Sequence, residues 1–186
     1  MPVQKVTKEE ILLKALEVFR TQGYHHTSMS DLAAGCGLLK GSFYHHFDGK
    51  EALMREVLLW IRTYLNEKVF ALAYADGLSG QQKLGNLIRK LSKLLLSTQG
   101  GCVLGNMTLE TARLIPEFQR ILKEIFTDWA QALTHIFQEK YDVEGAKKLA
   151  WQTIMEYEGA VMVNKLFDDP QIYQDCYARA LARMSA

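Results

Sequence analysis

Apolar residues recur at three- and four-residue spacing along almost the whole chain, and two-residue alternation is nowhere sustained. That pattern predicts an almost entirely helical protein. A first helix is expected from Thr7, with Glu10 completing a capping box and Ile11, Ala15, Val18 and Phe19 as its buried stripe, ending at Gly23. Ser28 and Asp31 form a second capping box, followed by apolar Met29, Leu32 and Ala33 and closed by Gly35, Cys36 and Gly37. A third helix is expected over about residues 39–46, with Phe43 and Phe47 turned inward. A fourth, capped by Asp48 with Glu51, should run over about residues 50–73 behind Leu53, Val57, Trp60, Ile61, Tyr64 and Leu65.

The second half repeats the logic on longer elements. Ser79 with Gln82 opens a fifth helix carrying Leu84, Leu87, Ile88, Leu91, Leu94 and Leu95, which ends at Gln99, Gly100 and Gly101. A short helix reaches about residue 113, and Pro116 opens the next, striped by Phe118, Leu122, Ile125, Trp129, Leu133, Ile136 and Phe137. The eighth covers about residues 144–167, with Gly159 at its middle. Glycine there costs about 1 kcal/mol against alanine, so a close helix approach is expected. Asp168, Asp169 and Pro170 break it, and the ninth carries Tyr173, Cys176, Tyr177, Ala180 and Leu181. The fold class is all-α, about nine helices, with no run long enough to span a membrane.

Bulk chemistry narrows this only a little. The 186 residues are 48% hydrophobic and 23% charged, ordinary for a globular protein, with net charge +1. Residues 1–50 hold six Lys/Arg against five acids, again only +1. Charge therefore makes no case for nucleic acid by itself. Four of the five histidines lie between His25 and His46, where phosphate would favour their charged form. Three cysteines make no disulfide framework and fit a reducing cytoplasm. The N-terminus has no signal-peptide core. No cofactor is expected. Ser42 has no acid–base partner in sequence, the paired histidines lack metal spacing, and no glycine-rich phosphate loop occurs. An enzyme is not expected; a helical enzyme or ligand carrier without DNA binding remains as the less favoured class.

Residues 27–51 carry the chemistry. Two short helices joined by a glycine turn are the helix-turn-helix geometry, whose second helix enters a major groove. An ordinary pair of packed short helices would show the same pattern. The second helix presents Lys40, Gly41, Ser42, Tyr44, His45 and His46, a set able to meet phosphates and base edges. Lys5 and Lys8, near the start of the first helix, are either backbone contacts or solvated lysines.

Gly23-Tyr24, Thr27-Ser28, Asp31-Leu32-Ala33, Gly37, Lys40-Gly41-Ser42, Tyr44-His45-His46-Phe47 and Lys50-Glu51 together resemble the DNA-binding domain of the TetR family of transcriptional regulators. The resemblance implies a reading head over residues 1–51 and an effector-binding and dimerisation domain over 52–186. It implies DNA contacts from Thr27, Ser28, Lys40, Gly41, Ser42, Tyr44, His45, His46 and Lys50, and a homodimeric cytoplasmic repressor released from a palindromic operator by a small molecule. Leu39 departs from the serine or threonine usual there, so the third helix lacks that cap. The implied dimer interface uses the last two helices, with Tyr157, Val161, Tyr173, Cys176, Tyr177, Ala180 and Leu181.

The stretch Gly101-Cys102-Val103-Leu104-Gly105-Asn106 with Glu110 resembles a TetR subgroup thought to sense electrophiles or oxidants. A thiol beside a helix N-terminus sees amide dipoles that favour thiolate; most lone cysteines are instead buried small hydrophobes. The candidate pocket or sensor set is Cys102, Asn106, Glu110, Phe126, Trp129, Tyr157, Val161 and Lys165, with His135 also a possible wall. Glu156, Glu158 and Asn164, set among apolar residues, could also face a pocket, although a solvated carboxylate is commoner.

Overall fold

The structure is a computed structural model and describes residues 6–97 and 100–185; the side chains of Ser42, Leu96 and Ser97 are outside the description. The expectations placed on Lys5 and Gln99 therefore lie outside the described residues. Helix α1 (Lys8–Gln22) starts on the Thr7/Glu10 capping box and ends at Gly23, whose φ is 78°. Helix α2 (Met29–Cys36) starts on the Ser28/Asp31 box and ends at Gly37 in the left-handed region. Helix α3 (Lys40–Tyr44) is a single short turn and a half, later to start and earlier to end than the pattern suggested. Leu39 is exposed and contributes no side-chain cap, which shortens the element.

Helix α4 (Lys50–Tyr64) is capped by Gly49 without a side-chain hydrogen bond, so the expected Asp48/Glu51 box does not form. Nor does it continue as α-helix to residue 73. It passes into a π turn (Leu65–Val69) and then a 3-10 turn (Phe70–Tyr74). Single π turns inside helices commonly mark functional places. Helix α5 (Gly80–Leu95) starts where Ser79 and Gln82 exchange hydrogen bonds. Two residues at each side of the next turn pair antiparallel, β1 (Leu96–Ser97) with β2 (Gly101–Cys102). Then come α6 (Val103–Thr111), α7 (Pro116–Phe137, proline in its first turn), α8 (Val143–Phe167, capped by Asp142) and α9 (Pro170–Ala182, capped by Asp169). Among the described residues eight helices reach eight residues or more, so the expected nine is slightly high.

The core is continuous from head to tail. Phe19, Leu32, Phe43 and Leu53 fill the head, and Leu87, Leu91, Phe118, Trp129 and Phe137 fill the rest. Phe43 and Phe47 do turn inward, with ring centroids 5.7 Å apart. Tyr24 joins the two regions, stacked on Phe19 and edge-on to Phe118 of α7. An ion cluster ties α4 to α7: Arg62 pairs with Glu124 and with Asp128, the latter at 2.9 Å, just before the π turn.

Candidate DNA-reading head and regulatory cavity

The inward face of α3 being Phe43, its outward face is Lys40, Gly41 and Tyr44, continued by His45 and His46, all exposed. Ser28 is exposed as well, although its hydroxyl and amide already engage Asp31. Thr27 is not available. It is buried, and its hydroxyl donates to the Gly23 carbonyl at 2.5 Å. Lys8 pairs with Glu56 at 2.9 Å.

Lys50 is held inward. Its ammonium donates to the Tyr24 carbonyl at 2.7 Å and lies 4.4 Å from the centre of the Tyr24 ring. It therefore braces the turn between α1 and α2 from one side.

Glu110 braces the same turn from the other side. Its carboxylate accepts from the Tyr24 amide at 2.8 Å and the His25 amide at 3.1 Å, and its carbonyl lies 3.0 Å from His25 Nε2. A Cβ at Gly23 would come 2.8 Å from this carboxylate, on a backbone with φ of 78°, so only glycine fits there. Sequence reading put Glu110 in the pocket set. The structure puts it at the far end of α6, joining the regulatory half to the head. Tyr24 and His25, which receive the contact, were missed as interdomain residues because the partner lies 85 or 86 positions away.

A cavity of about 420 Å³ lies between α6 and α8. Of the expected set, Cys102, Asn106, Phe126, Val161 and Lys165 line it, joined by Gly105, Thr108, Leu109, Glu158, Gly159 and Met162. Trp129 and Tyr157 do not. Trp129 is fully buried, and its ring meets Tyr157 edge-on at 5.3 Å. The Tyr157 hydroxyl bonds Ser92 at 3.2 Å and the same Ser92 bonds Tyr173, a polar trio inside the protomer. Burial pushes the Tyr157 phenol far up from its ordinary value. The His135 ring lies 4.3 Å from that of Tyr74, tilted by 33°, and is not among the residues lining the cavity. Gly159 has no atom near the place of its missing Cβ, so the expected close helix approach is absent there; it opens the cavity wall instead.

The close approach falls at Gly105, where a Cβ would stand 2.7 Å from the Glu158 carboxylate. The glycine-rich stretch thus has an architectural role. Gly101 takes φ 72°, the Asn106 amide and the Lys165 ammonium hold the Gly100 carbonyl at 2.7 and 3.3 Å, and Gly105 admits Glu158. The Cys102 thiol donates to Glu158 at 3.1 Å. Burial, and then the Glu158 charge, push that thiol well above its ordinary value. Amides of α6 at Gly105 and Leu104 pull the other way, as the helix-terminus argument expected, and are outweighed. Burial also raises the Glu158 carboxyl.

Among the described residues no cluster of three His, Cys, Asp or Glu is placed to hold a metal, and no helix is long and apolar enough to cross a membrane. Tyr157, Val161, Cys176 and Ala180, expected at a dimer interface, are buried within the protomer, and Tyr173, Tyr177 and Leu181 are half-buried. The outward face of α8 carries Trp151, Met155, Met162 and Leu166 instead, spaced to form one stripe, with Phe167 beside it.

A three-helix head with an exposed recognition turn, carried on a helical bundle with its own cavity, defines a helix-turn-helix transcriptional regulator. Residues 11–57 match the family of bacterial regulatory proteins, tetR family, and residues 81–177 match the C-terminal domain of LmrA/YxaF-like transcriptional regulators. The chain belongs to the TetR family of bacterial transcriptional regulators. It is 24% identical over 165 residues to the transcriptional repressor DhaR of Mycobacterium sp. (strain GP1), covering 86% of this chain and 82% of that one. It is 27% identical over 147 residues to the regulator LmrA of Bacillus subtilis (strain 168), covering 76% and 74%. Its fold superposes on a TetR transcriptional regulator from Legionella pneumophila with a TM-score of 0.88 at 23% identity, covering 100% of both chains.

Proposed function

We propose that the chain is a homodimeric repressor that leaves a near-palindromic operator when a small molecule enters the cavity between α6 and α8. Residues 1–51 are the reading head and residues 52–186 the effector-binding and dimerisation part. Lys40, Gly41, Tyr44, His45 and His46 face the major groove, with half-sites about 34–36 Å apart. The outward stripe of α8 supplies the apolar face for a second copy, and Met162 belongs to both that stripe and the cavity wall.

One observation carries the switch. Gly105, Asn106, Thr108 and Leu109 line the cavity, and the next residue, Glu110, bonds the turn that orients the head. Anything that displaces α6 in favour of an occupant also displaces Glu110. By linkage, an effector that weakens DNA binding is weakened by DNA to the same factor. The cavity chemistry suits a mainly apolar molecule carrying a polar group that pairs with Glu158 or Lys165. The thiol-sensor alternative at Cys102 is disfavoured, because a buried thiol against a carboxylate is a poor source of thiolate.

The test begins with selection of sites from random duplex DNA, which should enrich an inverted repeat. A screen for compounds that release the protein from that repeat then supplies the effector. In Glu110→Ala the ratio of operator affinities without and with effector should fall at least tenfold. An unchanged ratio would remove this contact from the switch.

A further inference from the structure

A second cavity, about 480 Å³, lies between α5 and the end of α4. That volume is within the ~300–1,000 Å³ typical of small-molecule sites. Its two walls differ in chemistry. One is apolar: Tyr64, the last residue of α4, whose ring stacks on Trp60 at 5.4 Å, Leu72 of the 3-10 turn, and Leu94 of α5. The other is cationic: Arg89, Lys90 and Lys93, one face of α5 over little more than a turn.

No carboxylate lines this cavity. Among the described residues, no ion pair involves Arg89, Lys90 or Lys93; Arg89 donates to Asn86 at 3.2 Å and so keeps most of its guanidinium free. Three like charges side by side, next to an aromatic and aliphatic floor, form an unneutralised positive rim around an apolar hollow. An oxyanion there would meet an arginine fork and two ammonium groups.

We infer that this cavity binds an amphipathic acid, an aromatic or short aliphatic body bearing a phosphate, sulfonate or carboxylate. Such a ligand seats its body on Tyr64, Leu72 and Leu94 and its anion on Arg89, Lys90 and Lys93. The first cavity differs: its wall carries both Glu158 and Lys165, so it lacks the unbalanced positive rim of the second. Tyr64 and Leu72 flank the π turn, so an occupant bears on the end of α4. On the regulatory reading above, it also bears on the tilt of the head.

Calorimetric titration of the full chain with 2-naphthyl phosphate at low ionic strength tests the site without DNA, so its failure leaves the operator reading untouched. Binding is expected, at least tenfold tighter than that of 2-naphthol or inorganic phosphate. It should weaken at least tenfold in the Arg89→Gln/Lys90→Gln/Lys93→Gln variant at unchanged thermal midpoint, and persist in Gly159→Leu, which narrows only the first cavity. No binding to the natural chain overturns the inference. So does undiminished binding in the triple variant, loss in Gly159→Leu, or equal binding of 2-naphthol or inorganic phosphate.

Discussion

In the head, polar groups meet partners three residues away: Thr7 with Glu10, Ser28 with Asp31. In residues 52–186 helix starts close the same way, Ser79 with Gln82 and Asp142 with the Gly145 amide, but polar side chains also meet partners 56 or 65 residues away, as Cys102 meets Glu158 and Ser92 meets Tyr157. The starts of α1 and α2 close on neighbouring residues, the turn between them is held from outside by Glu110, and the outward face of α3 stays exposed. Residues 52–186 also bury polar atoms that local structure does not satisfy. Trp129 Nε1 and Asn164 Oδ1 have no hydrogen-bond partner among the described residues. Glu158 lies in a mainly apolar cavity wall. Buried polar groups left in this condition are costly unless something pairs with them. The exposed face of α3 and the cavity beside Glu158 are therefore held by different kinds of contact. Glu110 is where the two regimes touch.

The contrast can be attacked where it is largest. Phe43 is fully buried in the head, and Phe43→Ala should destabilise by about 3–5 kcal/mol. Hydrogen exchange should accelerate over residues 29–47, with operator binding lost, while amides of α7 and α8 keep their protection. Equal acceleration in α7 and α8 would mean that the two regions unfold as one unit.

A smaller effect tests the local closure of the head. Ser28→Ala removes the α2 cap and should lower stability by about 1 kcal/mol in urea unfolding. A change near zero would show that α2 is held by packing alone.

The smallest effect is a slope. Burial holds the Glu158 carboxyl above its ordinary 4.5, so the folded chain keeps a proton there that the unfolded chain releases. The folded state then binds more protons in that window, and stability falls as pH rises from about 4.5 towards the folded value. Glu158→Gln removes this component. The thermal midpoint of the variant relative to the natural chain should therefore rise from acid to neutral pH. A constant difference would place an ionised, well-solvated Glu158 at the cavity.

The elements differ in how far the amino-acid pattern reached. Thr7, Ser28 and Ser79 start their helices as read, and Gly23 and Gly37 end theirs, because capping is a matter of three or four consecutive residues. The inward turn of Phe43 and Phe47 follows from i, i+4 spacing alone. The tail of the fourth helix was not legible. Its apolar stripe continues in sequence, and nothing local marks the π turn, which packs against α5, or the 3-10 turn after it, which packs against α7.

Side-chain destinations divide the same way. Cys102, Asn106, Phe126, Val161 and Lys165 were placed at the cavity by a motif and by helix faces, and they line it. Lys50 and Glu110 were assigned to DNA and to the pocket, yet both hold the Tyr24 turn, Lys50 through its carbonyl and Glu110 through its amide. Tyr157 and Cys176 were assigned to a dimer face and are enclosed by their own protomer, while Met155 and Leu166 stay exposed. Helical periodicity says that a residue is apolar and on a given face; it does not say which of several helices covers that face. The sequence by itself determined helical class, the starts of α1, α2 and α5 and the ends of α1 and α2, because short-range hydrogen bonds and spacing dictate them. Only the tertiary structure decided the Glu110 contact, the Cys102–Glu158 pair and the two cavities of different chemistry, because each depends on groups brought together from distant parts of the chain.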